Sequence, residues 1–206
     1  MAAPKPPSED KCKLYDRSTV LPAGLSHTWI WKGNVKVLLE RLPERELVDL
    51  VVTSPPYNMG KVYENKRKHK EYIRWQGEVI DSCVARLKSS GSICWQVGNI
   101  VKGVGRKSEI LPLDIGLHEH FVRNEMKLRN RIVWHYGHGF HCKHRFSGRY
   151  EVIMWYTKSD SYHFDLDPVR VAAKYPGKKH YRGPKAGEYS CNPLGKNPED
   201  SWDFLE

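Results

Sequence analysis

The stretch Asp49-Leu50-Val51-Val52-Thr53-Ser54-Pro55-Pro56-Tyr57-Asn58 runs from apolar, β-branched residues straight into two prolines. Val48–Thr53 (VDLVVT) has the composition of a buried strand. Pro55 and Pro56 lack the ladder N–H, so the chain must leave the sheet there. The strand therefore delivers Ser54-Pro55-Pro56-Tyr57 to its carboxyl end, where open α/β sheets place their sites. Outward from this point strands and helices alternate. Upstream, His27–Lys32 (HTWIWK) alternates apolar and polar residues as a strand does, and Val35–Leu42 has the apolar spacing of a helix. Downstream, residues 59–71 read as a charged, flexible loop. Tyr72–Leu87 reads as a helix capped by Ser89-Ser90-Gly91, followed by a second buried strand over Ser92–Val97. Leu111–Lys127 reads as a helix, Asn130–Tyr136 and Glu151–Lys158 as strands, and the chain beyond Asp160 as mostly loop. The alternation predicts an α/β sheet.

The turn Ser54-Pro55-Pro56-Tyr57 resembles a motif of methyltransferases that act on aromatic amino groups, and that resemblance implies one chemistry. An aromatic amine is a poor nucleophile because its lone pair is delocalised into the ring. A side-chain acceptor at Ser54 and the carbonyl of Pro55 can each take one amino hydrogen and localise that lone pair. Two fixed φ angles preorganise both acceptors. Tyr57 offers a ring on which a base turned out of a duplex can stack.

Ser54-Pro55-Pro56-Tyr57 resembles motif IV of the DNA methyltransferases that modify exocyclic amino groups, cytosine-N4 or adenine-N6. The resemblance continues on both sides. Gly33-Asn34 sits where the permuted β-order of this family usually has Gly-Asp, and Asn34 can hydrogen-bond there without carrying charge. Gly91-Ser92-Ile93-Cys94-Trp95 looks like the family's next core strand. The blocks Arg145–Glu151, Phe164–Asp167 and Gly195–Trp202 resemble its target-recognition half. The resemblance implies a partial Rossmann-like methyltransferase sheet with an irregular basic target-recognition region. It implies Ser54, Pro55, Pro56 and Tyr57 as catalytic residues, and Gly33, Asn34, Thr53 and Ser54 as contacts to S-adenosylmethionine. Ser rather than Asp at the first motif position leans toward cytosine-N4. A non-catalytic DNA-binding remnant, or a subunit of a split enzyme, is the alternative.

The family's methionine-binding motif, Asp-Pro-Phe-x-Gly-x-Gly, is absent from these 206 residues. Gly103-Val104-Gly105 and Gly137-His138-Gly139 follow no Asp-Pro pair and read as ordinary loops. In the family's sheet, the strands ending at Gly33 and Thr53 are separated by strands from that absent segment. The expectation is a gap in the sheet or an exposed apolar edge along 48–53, with the cofactor half supplied by a second polypeptide or lost by truncation. The expected divisions are a flexible segment at 1–26, a catalytic α/β region at 27–136, and a target-recognition region with a return strand at 137–206.

Composition fits this reading. The chain carries 34 Lys and Arg against 24 Asp and Glu, for a net charge of +10. Residues 127–185 alone hold 13 basic and four acidic side chains, interleaved with Tyr and Trp. Such a stretch suits a polyanion whose bases can stack, and the resemblance implies that this partner is double-stranded DNA. Lys61, Lys66, Arg67 and Lys68 directly follow the turn and are candidates for a phosphate clamp; His141, Lys143, Arg145 and Arg149 are candidates for DNA contact. His135, His138, His141, Cys142 and His144 have metal-ligand chemistry but no second pair at finger spacing, so no metal is expected. No apolar run reaches the roughly 20 residues of a membrane span. The polar, proline-rich start and five scattered cysteines predict a cytoplasmic protein with reduced thiols.

Overall fold

The computed structural model describes residues 15–16, 29–30, 32–42, 46–139 and 141–203. The chain divides into two compact units, Met1–Glu44 and Arg45–Glu206. The expected flexible segment at 1–26, apart from Tyr15 and Asp16, and half of the His27–Lys32 strand lie outside the described residues. In the first unit β1 (Tyr15–Asp16) pairs antiparallel with β2 (Trp29–Ile30). Helix α1 (Val35–Arg41) is capped by Asn34, whose side-chain oxygen accepts from the Lys36 N–H at 3.0 Å.

The second unit is built on β3 (Val48–Thr53), α2 (His69–Val84), β4 (Leu87–Val97), β5 (Asn99–Lys102), β6 (Glu109–Pro112), α3 (Leu113–Arg123), β7 (Lys127–His135), β8 (Tyr150–Thr157) and β9 (Ser201–Asp203). Its sheet has the order β3-β4-β8-β7-β9. The β3–β4 and β7–β9 pairs are parallel, and β8 runs opposite to both its neighbours. Four of the five strands thus point one way, in a mixed α/β fold. β5 and β6 form a separate antiparallel hairpin.

Period-two alternation decides which side chains are core. Ile93, Trp95 and Val97 of β4 and Val152, Met154 and Tyr156 of β8 are buried. Ile80 of α2 and Leu113, Leu117 and Phe121 of α3 are buried as well. The Phe121 and Tyr156 rings stack at 4.0 Å, and Trp95 meets Phe121 edge-on at 6.0 Å. Each such ring pair contributes roughly 0.5–1.5 kcal/mol beyond its buried area. The two helices close on each other at Gly77, where a Cβ would lie 2.1 Å from the His120 ring, so only glycine fits. The intervening residues of β4 and β8, including Gln96, Glu151 and Trp155, face away from the helices. There Trp155 stacks on Phe164 and meets Tyr162 edge-on.

Three expectations need correction. The helix expected at Tyr72–Leu87 is displaced by three residues, and Ser89-Ser90-Gly91 lies inside β4 rather than capping α2. The apolar Leu87 belongs to the strand: its partner is Val48, and the register then shifts so that Leu50 faces Ser92. At the end of α2, Ala85 N and Arg86 N donate to Asp81 O and Cys83 O, and Lys158 Nζ donates to Val84 O at 3.3 Å and to Leu87 O of β4 at 2.7 Å. The helix expected from Leu111 begins at Leu113, because Glu109–Pro112 pairs back on β5. Finally, β3 is an edge strand rather than a fully buried one. Among the described residues it pairs with β4 alone, and Leu50 and Val52 are 55% and 70% exposed. That matches the expected apolar edge along 48–53. Among the described residues, no helix is long and apolar enough to cross a membrane.

Candidate active site

β3 ends at Thr53, opposite Trp95 of β4, and Ser54 opens the turn beyond the sheet. Pro55 is buried, Ser54 and Pro56 are exposed, and Tyr57 is half-buried. The turn is held from several distant elements. Tyr72 of α2, itself buried, donates its hydroxyl to Pro56 O at 2.7 Å. Tyr57 Oη lies 2.9 Å from Ser54 Oγ and donates to Glu151 Oε2 of β8 at 2.8 Å. Gln96 Nε2 of β4 donates to the same carboxylate oxygen at 2.7 Å. Gly98 makes room for this arrangement: a Cβ there would stand 3.3 Å from the Tyr57 ring and 3.5 Å from Glu151 Oε1.

Burial is the main force raising the Tyr57 phenol far above its ordinary value. The Ser54 hydrogen bond opposes it, and the bond to and charge of Glu151 add to it. Tyr57 is therefore a neutral donor at any physiological pH.

The chain after the turn is knit rather than loose, which corrects the expectation of a flexible loop at 59–71. Asn58, at φ +62°, is buried and clasps the far end of the loop. Its Nδ2 donates to Arg67 O at 2.9 Å and its Oδ1 accepts from Arg67 N at 2.6 Å. Glu64 accepts from Asn58 N at 2.8 Å and Lys61 N at 3.1 Å. Slight desolvation raises its carboxyl, but backbone N–H groups from Lys61, Asn58, Met59 and Gly60 more than offset this and hold it below its usual range. The result is a cavity of about 360 Å³ walled by the whole Ser54–Tyr57 turn, by Met59, Lys61, Tyr63 and Glu64 of the loop, and by Glu151.

The other candidates fall into separate places. Lys61 lines this cavity, whereas the Arg67 guanidinium lies 4.9 Å over the Trp75 ring of α2 and Lys68 stands at the start of that helix. The Lys66 stem packs beside Gly60. His141, Lys143 and Arg145 come together around a second cavity of about 400 Å³ against Val101, Val104 and Ser108 of the β5–β6 hairpin. The connection of that hairpin, residues 103–108, opens with Gly103-Val104-Gly105, with φ of +82° and +58° at the glycines. Arg149 precedes β8, and its carbonyl accepts from Tyr136 N at 2.8 Å. Gly33 and Asn34 belong to the first unit, where Asn34 caps α1. His135 bonds Asp203 at 2.7 Å, and among the described residues no three His, Cys, Asp or Glu side chains gather as metal ligands would.

Two of the cysteines are held as thiols. Burial pushes the Cys83 thiol up to about 11, against a smaller pull from Arg86, and raises Cys94 as well. The turn's own chemistry is that of hydrogen-bond acceptors beside a cavity at a strand's carboxyl end.

A family model described as DNA methylase matches residues 48–206, which include the turn, its supports and the whole five-stranded sheet. The chain belongs to the DNA methylase family. Within that family it is 49% identical over 175 residues to the type II methyltransferase M.BglII of Bacillus subtilis, covering 85% of this chain and 48% of that protein. It is 38% identical over 182 residues to the type II methyltransferase M.ScaI of Streptomyces caespitosus, covering 87% of this chain and 56% of that one. Among solved structures, the cytosine-N4-specific PvuII DNA methyltransferase superposes with a TM-score of 0.61 at 18% identity, over 84% of this chain and 55% of that chain. This likeness confirms the methylase fold. The chain spans about half the length of the relatives it matches.

Glu151, Gln96, Tyr72 and Glu64 do not stand out as site residues from sequence. A signal existed for Glu151: strand alternation that buries Val152, Met154 and Tyr156 puts a carboxylate on the opposite face, at the strand's start.

Proposed function

We propose that this chain is the catalytic and target-recognition part of a site-specific DNA methyltransferase. It transfers a methyl group from S-adenosylmethionine to the exocyclic amino group of a base turned out of the duplex, cytosine-N4 rather than adenine-N6. The observation that carries the proposal is the Ser54–Tyr57 turn, held rigid at the carboxyl end of β3 beside a cavity. Ser54 Oγ and the Pro55 carbonyl accept the two amino hydrogens and localise the nitrogen lone pair. Tyr57 offers its ring for the flipped base to stack on. The serine at the first motif position supports cytosine-N4, the specificity in the name of the PvuII enzyme.

S-adenosylmethionine, when bound, supplies the electrophilic methyl group. The described residues fit one side of its site: Thr53 and Ser54 lie at the carboxyl end of β3, next to exposed Val52. Gly33 and Asn34 complete the proposed contacts on the resemblance alone. The exposed edge of β3 supports a second polypeptide pairing there and supplying the rest of the cofactor site. Double-stranded DNA is the proposed macromolecular partner. Lys61, Lys66, Arg67 and Lys68 would contact its backbone near the flipped base, and His141, Lys143, Arg145 and Arg149 would contact it further along. The division into a catalytic region at 27–136 and a recognition region at 137–206 belongs to this proposal, with the two regions sharing one sheet through β7, β8 and β9. The cytoplasm is the proposed compartment.

The test is methylation of mixed-sequence DNA with labelled S-adenosylmethionine, by the chain alone and with the polypeptide encoded beside it. Nucleosides from the product are scored for methylated cytosine and adenine. Methylated cytosine from the mixture alone is the expected result. DNA binding without methylation in either arm identifies a non-catalytic recognition subunit instead.

A further inference from the structure

Tyr57 has one hydroxyl proton and two neighbours for it, Ser54 Oγ at 2.9 Å and Glu151 Oε2 at 2.8 Å. A carboxylate can only accept, while a serine hydroxyl can accept or donate. The proton therefore goes to Glu151, the stronger, charge-assisted bond. The Tyr57 oxygen is then left with lone pairs only, so across the 2.9 Å contact Ser54 is the donor. With its own hydrogen turned inward, Ser54 presents nothing but lone pairs to the cavity. If Tyr57 instead gave its proton to Ser54, the serine hydrogen would point outward. It would then oppose the amino hydrogens it is meant to accept.

We propose that Glu151 is a positioning residue that fixes the Ser54 hydroxyl as an acceptor toward the substrate amino group, acting through Tyr57. The proposal rests on the methyltransferase reading above. Three further features support the relay. Gln96 donates to the same Glu151 oxygen at 2.7 Å, anchoring the carboxylate from the neighbouring strand. The β4–β8 register, with Gln96 opposite Ile153 and Val97 opposite Val152, puts Gln96 and Glu151 on one face of the sheet as diagonal neighbours. Gly98 leaves the close space that the Tyr57 ring and Glu151 occupy. Glu151 lies 94 residues from Tyr57, so the polarity of the turn is set by another strand.

The experiment has two arms. In the first, Glu151→Gln, Glu151→Asp, Tyr57→Phe and the Glu151→Gln/Tyr57→Phe double variant are assayed for DNA methylation with the polypeptide encoded beside this chain. Glu151→Gln lowers kcat roughly tenfold to a hundredfold, as for a lost hydrogen bond to a charged group, with KM for DNA unchanged. Glu151→Asp keeps the charge, loses the reach and falls as far. The double variant is no slower than Tyr57→Phe, because both changes break one relay. Multiplying effects, or an unaltered kcat in Glu151→Gln, overturns the proposal. The second arm needs no activity. The Cζ resonance of Tyr57, in isotope-labelled tyrosine spectra of the chain, is assigned by its loss in Tyr57→Phe. Glu151→Gln moves it toward the other tyrosines as the charge-assisted bond is lost; an unmoved resonance overturns the relay. If the unaltered protein methylates no DNA, the methyltransferase reading fails in the first arm, while the second still decides whether Glu151 holds Tyr57.

Discussion

The Ser54–Tyr57 turn and the basic stretch 171–196 are both irregular, yet they are held in opposite ways. The turn is fixed by side chains from elsewhere: Tyr72 from α2, Gln96 from β4, Glu151 from β8. The stretch pairs its backbone with itself. Val171 and Lys196 exchange two hydrogen bonds, and His180 and Ser190 donate to Glu188 O and Lys178 O. Its side chains point outward: Tyr175, Tyr181 and Tyr189 are 61%, 87% and 60% exposed. Lys174 and Lys178 lie over the first of these rings, Arg182 over the second and Lys179 over the third. The difference separates two tasks. Aiming acceptors at one nitrogen demands preorganisation, which only a packed shell supplies. Tracking a charged helix demands cations on a stable backbone and tolerates side-chain freedom.

The largest break in that comparison is Ser54→Ala. It removes the acceptor and leaves the basic stretch intact. Methylation by the reconstituted enzyme is abolished, while DNA affinity, measured by filter binding at fixed salt, stays nearly unchanged. Next comes Tyr72→Phe, which leaves Pro56 O without its buried donor. We expect a loss of about 1–3 kcal/mol in denaturant unfolding, together with a fall in kcat larger than any rise in KM for DNA. A Tyr72→Phe enzyme with unaltered kcat would show that the turn holds itself.

The same contrast explains what the sequence could disclose. Val48–Thr53 coincides with the strand read from its residues, and the Ser-Pro-Pro-Tyr chemistry is legible because all of it is local. The supports are not, since Tyr72 and Glu151 reach the turn from 16 and 94 residues away. In sequence Tyr72 looks like one more apolar position on a helix, and Glu151 like the polar start of a strand. The end of α2 is misplaced by sequence because Leu87 continues the helical spacing yet pairs with Val48 in the sheet. The β5–β6 hairpin is hidden because Gly103 and Gly105 look like an ordinary loop without the pairing of Asn99–Lys102 to Glu109–Pro112. The basic stretch, built from local turns, reads as loop and is loop.

A third prediction sharpens the other side of the comparison. Replacing Lys174, Lys178 and Lys179 together by Ala lowers DNA affinity for all sequences alike. The slope of log affinity against log salt becomes shallower by about 1 for each phosphate that these cations no longer neutralise. The three lysines rest on exposed rings, so stability changes by less than about 0.5 kcal/mol for each substitution. A variant that instead unfolds early would mean that the stretch is held by its side chains, as the turn is.

The smallest effect is expected at Asp160, just after β8 and ahead of the basic stretch. Hydrogen bonds and charge from Lys127 and Arg129 hold its fully exposed carboxyl below the usual range. A lowered carboxyl stabilises the fold above its unfolded value, and this contribution is lost as pH falls through the folded value. Asp160→Asn should therefore lower Tm slightly at neutral pH and not at all in acid, where the two proteins converge. The effect stays small because Arg129 does not depend on Asp160. Its Nε donates to Thr157 Oγ1 at 2.8 Å, and its guanidinium lies 4.5 Å over the Tyr162 ring. A substantial Tm loss that persists at low pH would mean that Asp160 holds the junction by shape rather than by charge. The lead-in to the stretch would then belong, in its physics, with the catalytic turn.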